Sequence, residues 1–167
     1  MAVAETLHKH PKRRLTAFAN EISSLIEAAQ AAGLNVVNSD EVLMVTEMSG
    51  HDVEEPRPTE GFAFQIERDN THAYVSIHPV EDAEVVAASG HVSAVEGYAI
   101  FDRIITAPDF RRRGLGSLIM RALVSLALEH DVEEGLLIAS VDGQQLYQSL
   151  GWTNLGNVVL FEGKQDA

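Results

Sequence analysis

Three consecutive arginines, Arg111, Arg112 and Arg113, run directly into Gly114-Leu115-Gly116-Ser117. Glycines one residue apart let a backbone approach a ligand closely, and a helix beginning at this point leaves its first amides without intrahelical partners. Those amides, the positive end of the helix dipole and the guanidinium groups together form a site for an anion such as a pyrophosphate. Two familiar phosphate ligands do not fit the spacing. A Walker loop needs a lysine and a following hydroxyl after its second glycine, and neither stands in that frame, which argues against ATP and GTP. The dinucleotide fingerprint meets Ile119 where its third glycine belongs, and Glu134 precedes an apolar run instead of ending one, which argues against NAD.

The remaining reactive side chains narrow the chemistry further. The chain has no cysteine, which excludes disulfides, thiolate metal sites and an acyl-cysteine intermediate. Its seven histidines, His8, His10, His51, His72, His78, His91 and His130, show neither a metal-binding pair flanking a glutamate nor a matching carboxylate cluster, so no metal is expected. Trp152 and the other aromatic residues read as core side chains rather than as platforms for nucleic-acid bases.

These residues need elements to position them. Residues 12–32 carry Leu15, Phe18, Ala19, Ile22, Leu25, Ile26 and Ala29 at three-and-four spacing, which predicts one amphipathic helix ending at Gly33. Residues 34–60 read as a connector, with 41–48 ambiguous between helix and strand and Pro56 and Pro58 ending it. Segments 61–67, 71–78, 84–95 and 97–106 are rich in Val, Ile, Phe and Tyr and predict an antiparallel meander, with turns at 68–70 and at Glu96-Gly97. A helix over 115–130, a buried strand at 135–139, a short helix over 142–150 and a last strand at 157–161 complete the chain. The helical connection makes 97–106 and 135–139 parallel neighbours. The expected fold class is mixed α/β: a mostly antiparallel sheet with one parallel pair, splayed at the ligand site, and helices on both faces. The 167 residues suffice for a single domain, 1–167, with a variable part at 12–60 and a ligand-binding core at 97–152.

The run Arg111-Arg112-Arg113-Gly114-Leu115-Gly116, following a strand and a proline, resembles the coenzyme A signature of the GNAT superfamily of N-acetyltransferases. The resemblance extends through the Leu-Leu-Ile-Ala strand to Leu146-Tyr147 and Gly151-Trp152, which look like that family's Leu-Tyr-x-x-x-Gly-Phe ending. It implies acetyl-CoA as cosubstrate, a pantetheine arm paired to the backbone of Ile104, Ile105 and Thr106, and a pyrophosphate held by the amides from Arg112 to Ser117, with Arg111, Arg112 and Arg113 adding charge. It also implies a small contribution from Ser140, which stands where many relatives keep an asparagine, and a general acid at Tyr147. The simplest reaction, without a cysteine, is direct attack of a primary amine on the thioester in a ternary complex. The base is open among Asp102, Glu96 and His91, with Asp102, Ile104 and Thr106 expected on one face of their strand and Arg103 on the other. The alternative is a catalytically silent CoA-binding sensor or protein-interaction module on the same fold.

Charge bounds the partners. A net charge of −13 repels nucleic acid and anionic membranes. The exception is the stretch holding Arg103, the arginine triplet and Arg121 against the lone acid Asp109. Residues 34–60 carry seven carboxylates against Arg57, which favours a cationic acceptor such as a polyamine, an aminoglycoside, a lysine side chain or a protein N-terminus. The first ten residues show no secretory pattern, so a cytoplasmic location is expected, and an exposed sheet edge is the feature that would support a homodimer.

Overall fold

The computed structural model describes residues 2–9, 13–51 and 56–163. The fold is mixed α/β and mostly antiparallel, and the chain divides into two compact units. The first comprises Met1–Met44, Ile138–Tyr147 and Thr153–Ala167; the second comprises Val45–Leu137 and Gln148–Trp152.

The first unit holds α1 (Ala2–Lys9), β1 (Arg14–Ala19), α2 (Ser23–Ala31), most of β2 (Leu34–Glu47), most of α4 (Val141–Ser149) and β8 (Thr153–Gly163). Its strands lie in the order β1-β8-β2. Two expectations are corrected here. The single helix predicted over 12–32 is a strand followed by a helix. Leu15, Ala17 and Ala19 are half-buried while Arg14, Thr16 and Phe18 are exposed, a two-residue period, and β1 pairs with β8 from Arg14↔Glu162 to Ala19↔Asn157. Leu15 and Ala19 satisfy both periods, so apolar spacing alone does not separate this strand from the helix that follows. The true helix begins after Glu21, whose carboxylate accepts the amides of Ser23 at 3.1 Å and Ser24 at 3.3 Å and so caps it. The presumed connector is also a strand: within β2, Val42, Met44 and Thr46 are buried at alternate positions, while Asn38, Asp40 and Glu41 interrupt the apolar pattern that would have signalled it. Ala4, Leu7, Ala29, Leu34, Val159 and Phe161 form the core of this unit.

The second unit is the predicted meander and crossover. β3 (Phe62–Asp69), β4 (His72–Pro79), β5 (Ala88–Val95) and β6 (Tyr98–Thr106) pair antiparallel in sequence order. The β5–β6 turn uses Glu96 and Gly97 at φ of 49° and 85°, the left-handed geometry that suits a two-residue hairpin. From β6 the chain crosses through α3 (Leu115–Ala127) to β7 (Glu134–Ala139), and β6 and β7 pair parallel from Tyr98↔Glu134 to Phe101↔Leu137, as expected. Ile119, Met120, Leu123 and Val124 bury one face of α3. The helix sits so close to β5 that a Cβ on Gly90 would fall 2.8 Å from Ile104 Cδ1 and 2.9 Å from Leu123 Cδ1. The missing side chain of Gly90 is what permits this close approach.

Candidate functional site

β6 is not a regular strand. Its register with β5 runs Ala88↔Thr106 and Ser89↔Ile105 and then jumps to His91↔Asp102, so Gly90 faces both Arg103 and Ile104, and Arg103 adopts φ of 49°. This is a β-bulge, and it resets the alternation of side chains. The expected grouping of Asp102 with Ile104 and Thr106 is thereby corrected, as is the expectation that Arg103 points away from Asp102. Ile104 lies toward α3, whereas Asp102 is exposed, its carboxylate accepting the Arg103 amide at 2.7 Å and Arg103 Nε at 2.9 Å. The bulge is also where pairing with β7 stops. The last parallel rung is Phe101↔Leu137, yet β6 continues to Thr106. Beyond that rung no described strand pairs with β6 on the β7 side, although the Arg103 amide already donates to Asp102 and the Thr106 carbonyl accepts from Arg111 Nε.

The strand leads into the arginine-glycine loop. Pro108, Asp109 and Phe110 form a 3-10 turn, Arg111 Nε donates to the Thr106 carbonyl at 3.3 Å, and Arg113 Nη2 donates to the Asp109 carbonyl at 3.3 Å. The Arg113 guanidinium lies 5.3 Å from the centre of the Phe110 ring, and Phe110 meets Phe62 edge-on at 6.1 Å. Arg112 has φ of 62° and Gly114, immediately before α3, has φ of 76°. Left-handed residues two apart turn successive amides toward a common side, a concavity suited to an anion, and the first amides of α3 have no intrahelical acceptor. Arg111, Arg112 and Arg113 are all exposed. The loop and the first turn of α3, with Leu115, Gly116 and Ser117, can accept an anion, and Ile104, Ile105 and Thr106 lie on the part of β6 that β7 leaves without a strand partner.

In the other unit, Ser140 precedes α4 and caps it: its carbonyl accepts the amides of Gly143 at 2.9 Å and Gln144 at 3.0 Å, and its Oγ accepts Gly143 at 3.3 Å. Tyr147 is buried, and desolvation pushes its phenol up to about 12. Gly143 leaves room for that ring, since a Cβ there would come within 2.9 Å of Tyr147 Cε2. Glu96 stands in the β5–β6 turn, at the opposite end of β6 from the loop, which argues against it as a base beside the loop.

The face of the meander opposite α3 carries polar side chains that no motif announces. On β4, His72, Tyr74, Ser76 and His78 alternate with Ala73, Val75 and Ile77, and on β5 Ser89, His91 and Ser93 alternate with Gly90 and Val92. The two-residue period of these polar side chains was the available signal. Register brings Glu67, Tyr74, His91 and Asp102 into one row across four strands. His72 Nε2 and His91 Nδ1 are 3.1 Å apart, and the Tyr74 ring centre is 4.7 Å from that of His91. Burial, then the charges of Arg103 and His72, push the His91 imidazole below its usual value, with Asp102 and Glu67 opposing. Among the described residues there is no cluster of metal ligands, and no helix is long and apolar enough to cross a membrane.

A strand that outruns its parallel neighbour and feeds an arginine-rich helix start marks this mixed α/β fold. Residues 60–154, more than half the chain, match the family model described as the acetyltransferase (GNAT) domain, and the chain belongs to that family. No curated protein matches it. A solved GCN5-related N-acetyltransferase from Kribbella flavida is similar at 17% identity and a TM-score of 0.69, over 97% of this chain and 73% of that one. Another from Sphaerobacter thermophilus is similar at 11% identity and a TM-score of 0.67, over 92% of this chain but only 62% of its own. A tandem GNAT protein from the clavulanic acid biosynthesis pathway shows 17% identity and a TM-score of 0.66, over 99% and 69% of the two chains. At such identities the likeness is one of fold.

Proposed function

We propose that the protein is an acetyl-CoA-dependent N-acetyltransferase that moves the acetyl group to a primary amine by direct attack. The observation that carries this reading is the edge of β6 beyond Phe101, open to pairing and continuous with the amide concavity before α3. In this reading the pantetheine arm pairs with Ile104, Ile105 and Thr106, the amides from Arg112 to Ser117 hold the pyrophosphate, and the three arginines add charge. Ser140 is committed to capping α4, which argues for a minor part in binding. Tyr147, kept neutral by burial throughout the working pH range, is the general acid for the departing thiolate. Asp102 stands at the bulge, but its carboxylate already serves the amide and guanidinium of Arg103, which argues against it as the base. The acceptor is a small cationic amine or a peptide amine.

Thermal shifts with acetyl-CoA, CoA, NAD and ATP, followed by an amine panel read by release of CoA thiol, test this reading. A ligand at about 100 times its Kd adds roughly 2.7 kcal/mol, worth about 2 to 4 °C per kcal/mol in a domain of this size. Stabilisation by the CoA species and amine-dependent thiol release support the proposal. Stabilisation without thiol release by any amine supports a binding module instead, and no stabilisation by CoA removes the ligand assignment. The absence of cysteine keeps the thiol assay free of protein background.

A further inference from the structure

We propose that His91 takes the proton from the acceptor amine and that His72 passes it on to solvent. The inference rests on the acetyl-transfer reading and names the base that reading lacks. A pantetheine arm that starts at the loop before α3 and runs back along Thr106, Ile105 and Ile104 brings its thioester end to the bulge. The residue of β5 opposite the bulge is His91, paired with Asp102. Its chain neighbours Gly90 and Val92 are buried on the α3 side, so its ring lies on the other face, where an acceptor can reach an arm held in the plane of the sheet.

The surroundings of the ring suit a base. The 3.1 Å contact between His91 Nδ1 and His72 Nε2 requires one ring to donate to the other. With His91 Nδ1–H donating, His91 Nε2 presents its lone pair to the substrate, and neither His91 Nε2 nor His72 Nδ1 is hydrogen-bonded to a described residue. Tyr74, at 4.7 Å between ring centres and an interplanar angle of 38°, holds the orientation. The charged and titratable groups facing His91 are Glu67 from β3, His72 and Tyr74 from β4, and Asp102 and Arg103 from β6. Burial and the neighbouring cations keep the imidazole neutral where a base must be, with Asp102 and Glu67 opposing. His72 sits at the start of β4, opposite Asp69 and beside the hairpin turn at Asn70, and is half-exposed, which opens its far side to water.

The protons balance. An ammonium that becomes an amide nitrogen loses two. One passes to His91 Nε2 while the Nδ1 proton moves to His72 Nε2 and the His72 Nδ1 proton leaves to water; exchange with water then restores both tautomers. The other accompanies formation of the C–N bond and cleavage of the C–S bond and ends on the CoA sulfur.

The test measures kcat, KM and the pH profile of kcat/KM for the wild type, His91→Gln and His72→Gln, with exposed His130→Gln as control and acetyl-CoA Kd and Tm measured alongside. Loss of a general base lowers the rate by roughly 100-fold to 10,000-fold. His91→Gln is expected to fall in that range through kcat and to lose the limb below about pH 6.5, with acetyl-CoA affinity retained; an alkylammonium acceptor ionises far higher, near about 10.4, and its limb remains. Because His72 helps depress His91, His72→Gln is expected to move the acid limb to higher pH, which a purely structural loss would not do. Retention of the limb and of kcat in His91→Gln, or loss of acetyl-CoA binding in that variant, overturns the relay alone. Failure of the wild type to acetylate any amine overturns the acetyl-transfer reading and the relay with it.

Discussion

Tyr147 is the residue on which the proposed chemistry and a measurable stability effect meet. Its phenol is raised to about 12 by burial, so the folded protein holds the proton that an unfolded chain gives up near the ordinary value of 10.0. The sign follows: below pH 10 the group is neutral in both states, and stability falls as the pH rises from there toward the folded value. Two units correspond to roughly 3 kcal/mol. Denaturant titrations at neutral and strongly alkaline pH should show the wild type losing about that much more than Tyr147→Phe on going from the first to the second. In turnover, the same substitution should lower kcat by about 100-fold or more while the acetyl-CoA Kd stays within a few-fold. An unchanged kcat when the chemical step limits the rate would reduce Tyr147 to a packing residue. Arg112 offers a contrasting prediction. Its guanidinium is exposed and makes no ion pair among the described residues, so Arg112→Ala should weaken acetyl-CoA binding and flatten its salt dependence without lowering Tm by more than about 0.5 kcal/mol's worth.

The elements that matter are the irregular end of β6 and the first turn of α3. Gly114 has φ of 76° and open space around its missing side chain, so Gly114→Ala meets backbone strain rather than a clash. It should cost about 1 kcal/mol in Tm measurements and a disproportionate loss of CoA affinity, because the amides are re-aimed. Gly90→Ala fails differently, by forcing Ile104 and Leu123 away from β5. The arginine-glycine run and α3 were legible in the sequence because turn chemistry and helical periodicity agree there. The strand at 14–19 was not, because Leu15 and Ala19 fit a helix as well as a strand and only pairing with β8 decides between them. β2 was hidden by its polar residues at 38–41. The bulge was equally invisible: nothing in Asp102-Arg103-Ile104 announces that Arg103 will turn left-handed, and the misreading of Asp102 and Arg103 as opposed side chains followed from assuming strict alternation. The polar face of the meander was legible in part, since His72, Tyr74, Ser76 and His78 keep a two-residue period, but the union of His72 with His91 needs the β4–β5 register.

At the scale of the molecule, two imidazoles among the described residues work against stability in acid. His91 and His51 both sit below the usual histidine value, each chiefly through burial, and His51 Nε2 is 2.9 Å from Thr46 Oγ1. In the unfolded chain both bind protons with the ordinary value of 6.5. The unfolded state therefore takes up protons that the folded state declines, and stability present above about pH 6.5 is lost as the pH falls through the folded values. Acidification also protonates carboxylates on a chain of net charge −13, which relieves self-repulsion and acts in the opposite direction. The two contributions separate by mutation and by salt. Salt screens the repulsion between exposed carboxylates and leaves the burial of an imidazole largely untouched. Melting curves from about pH 7.5 to 5.5 at high salt should thus show a falling Tm in the wild type. The fall should be shallower in His91→Gln and shallower still when His51→Gln is added, and equal slopes in all three proteins would mean that the imidazoles are not the groups that titrate.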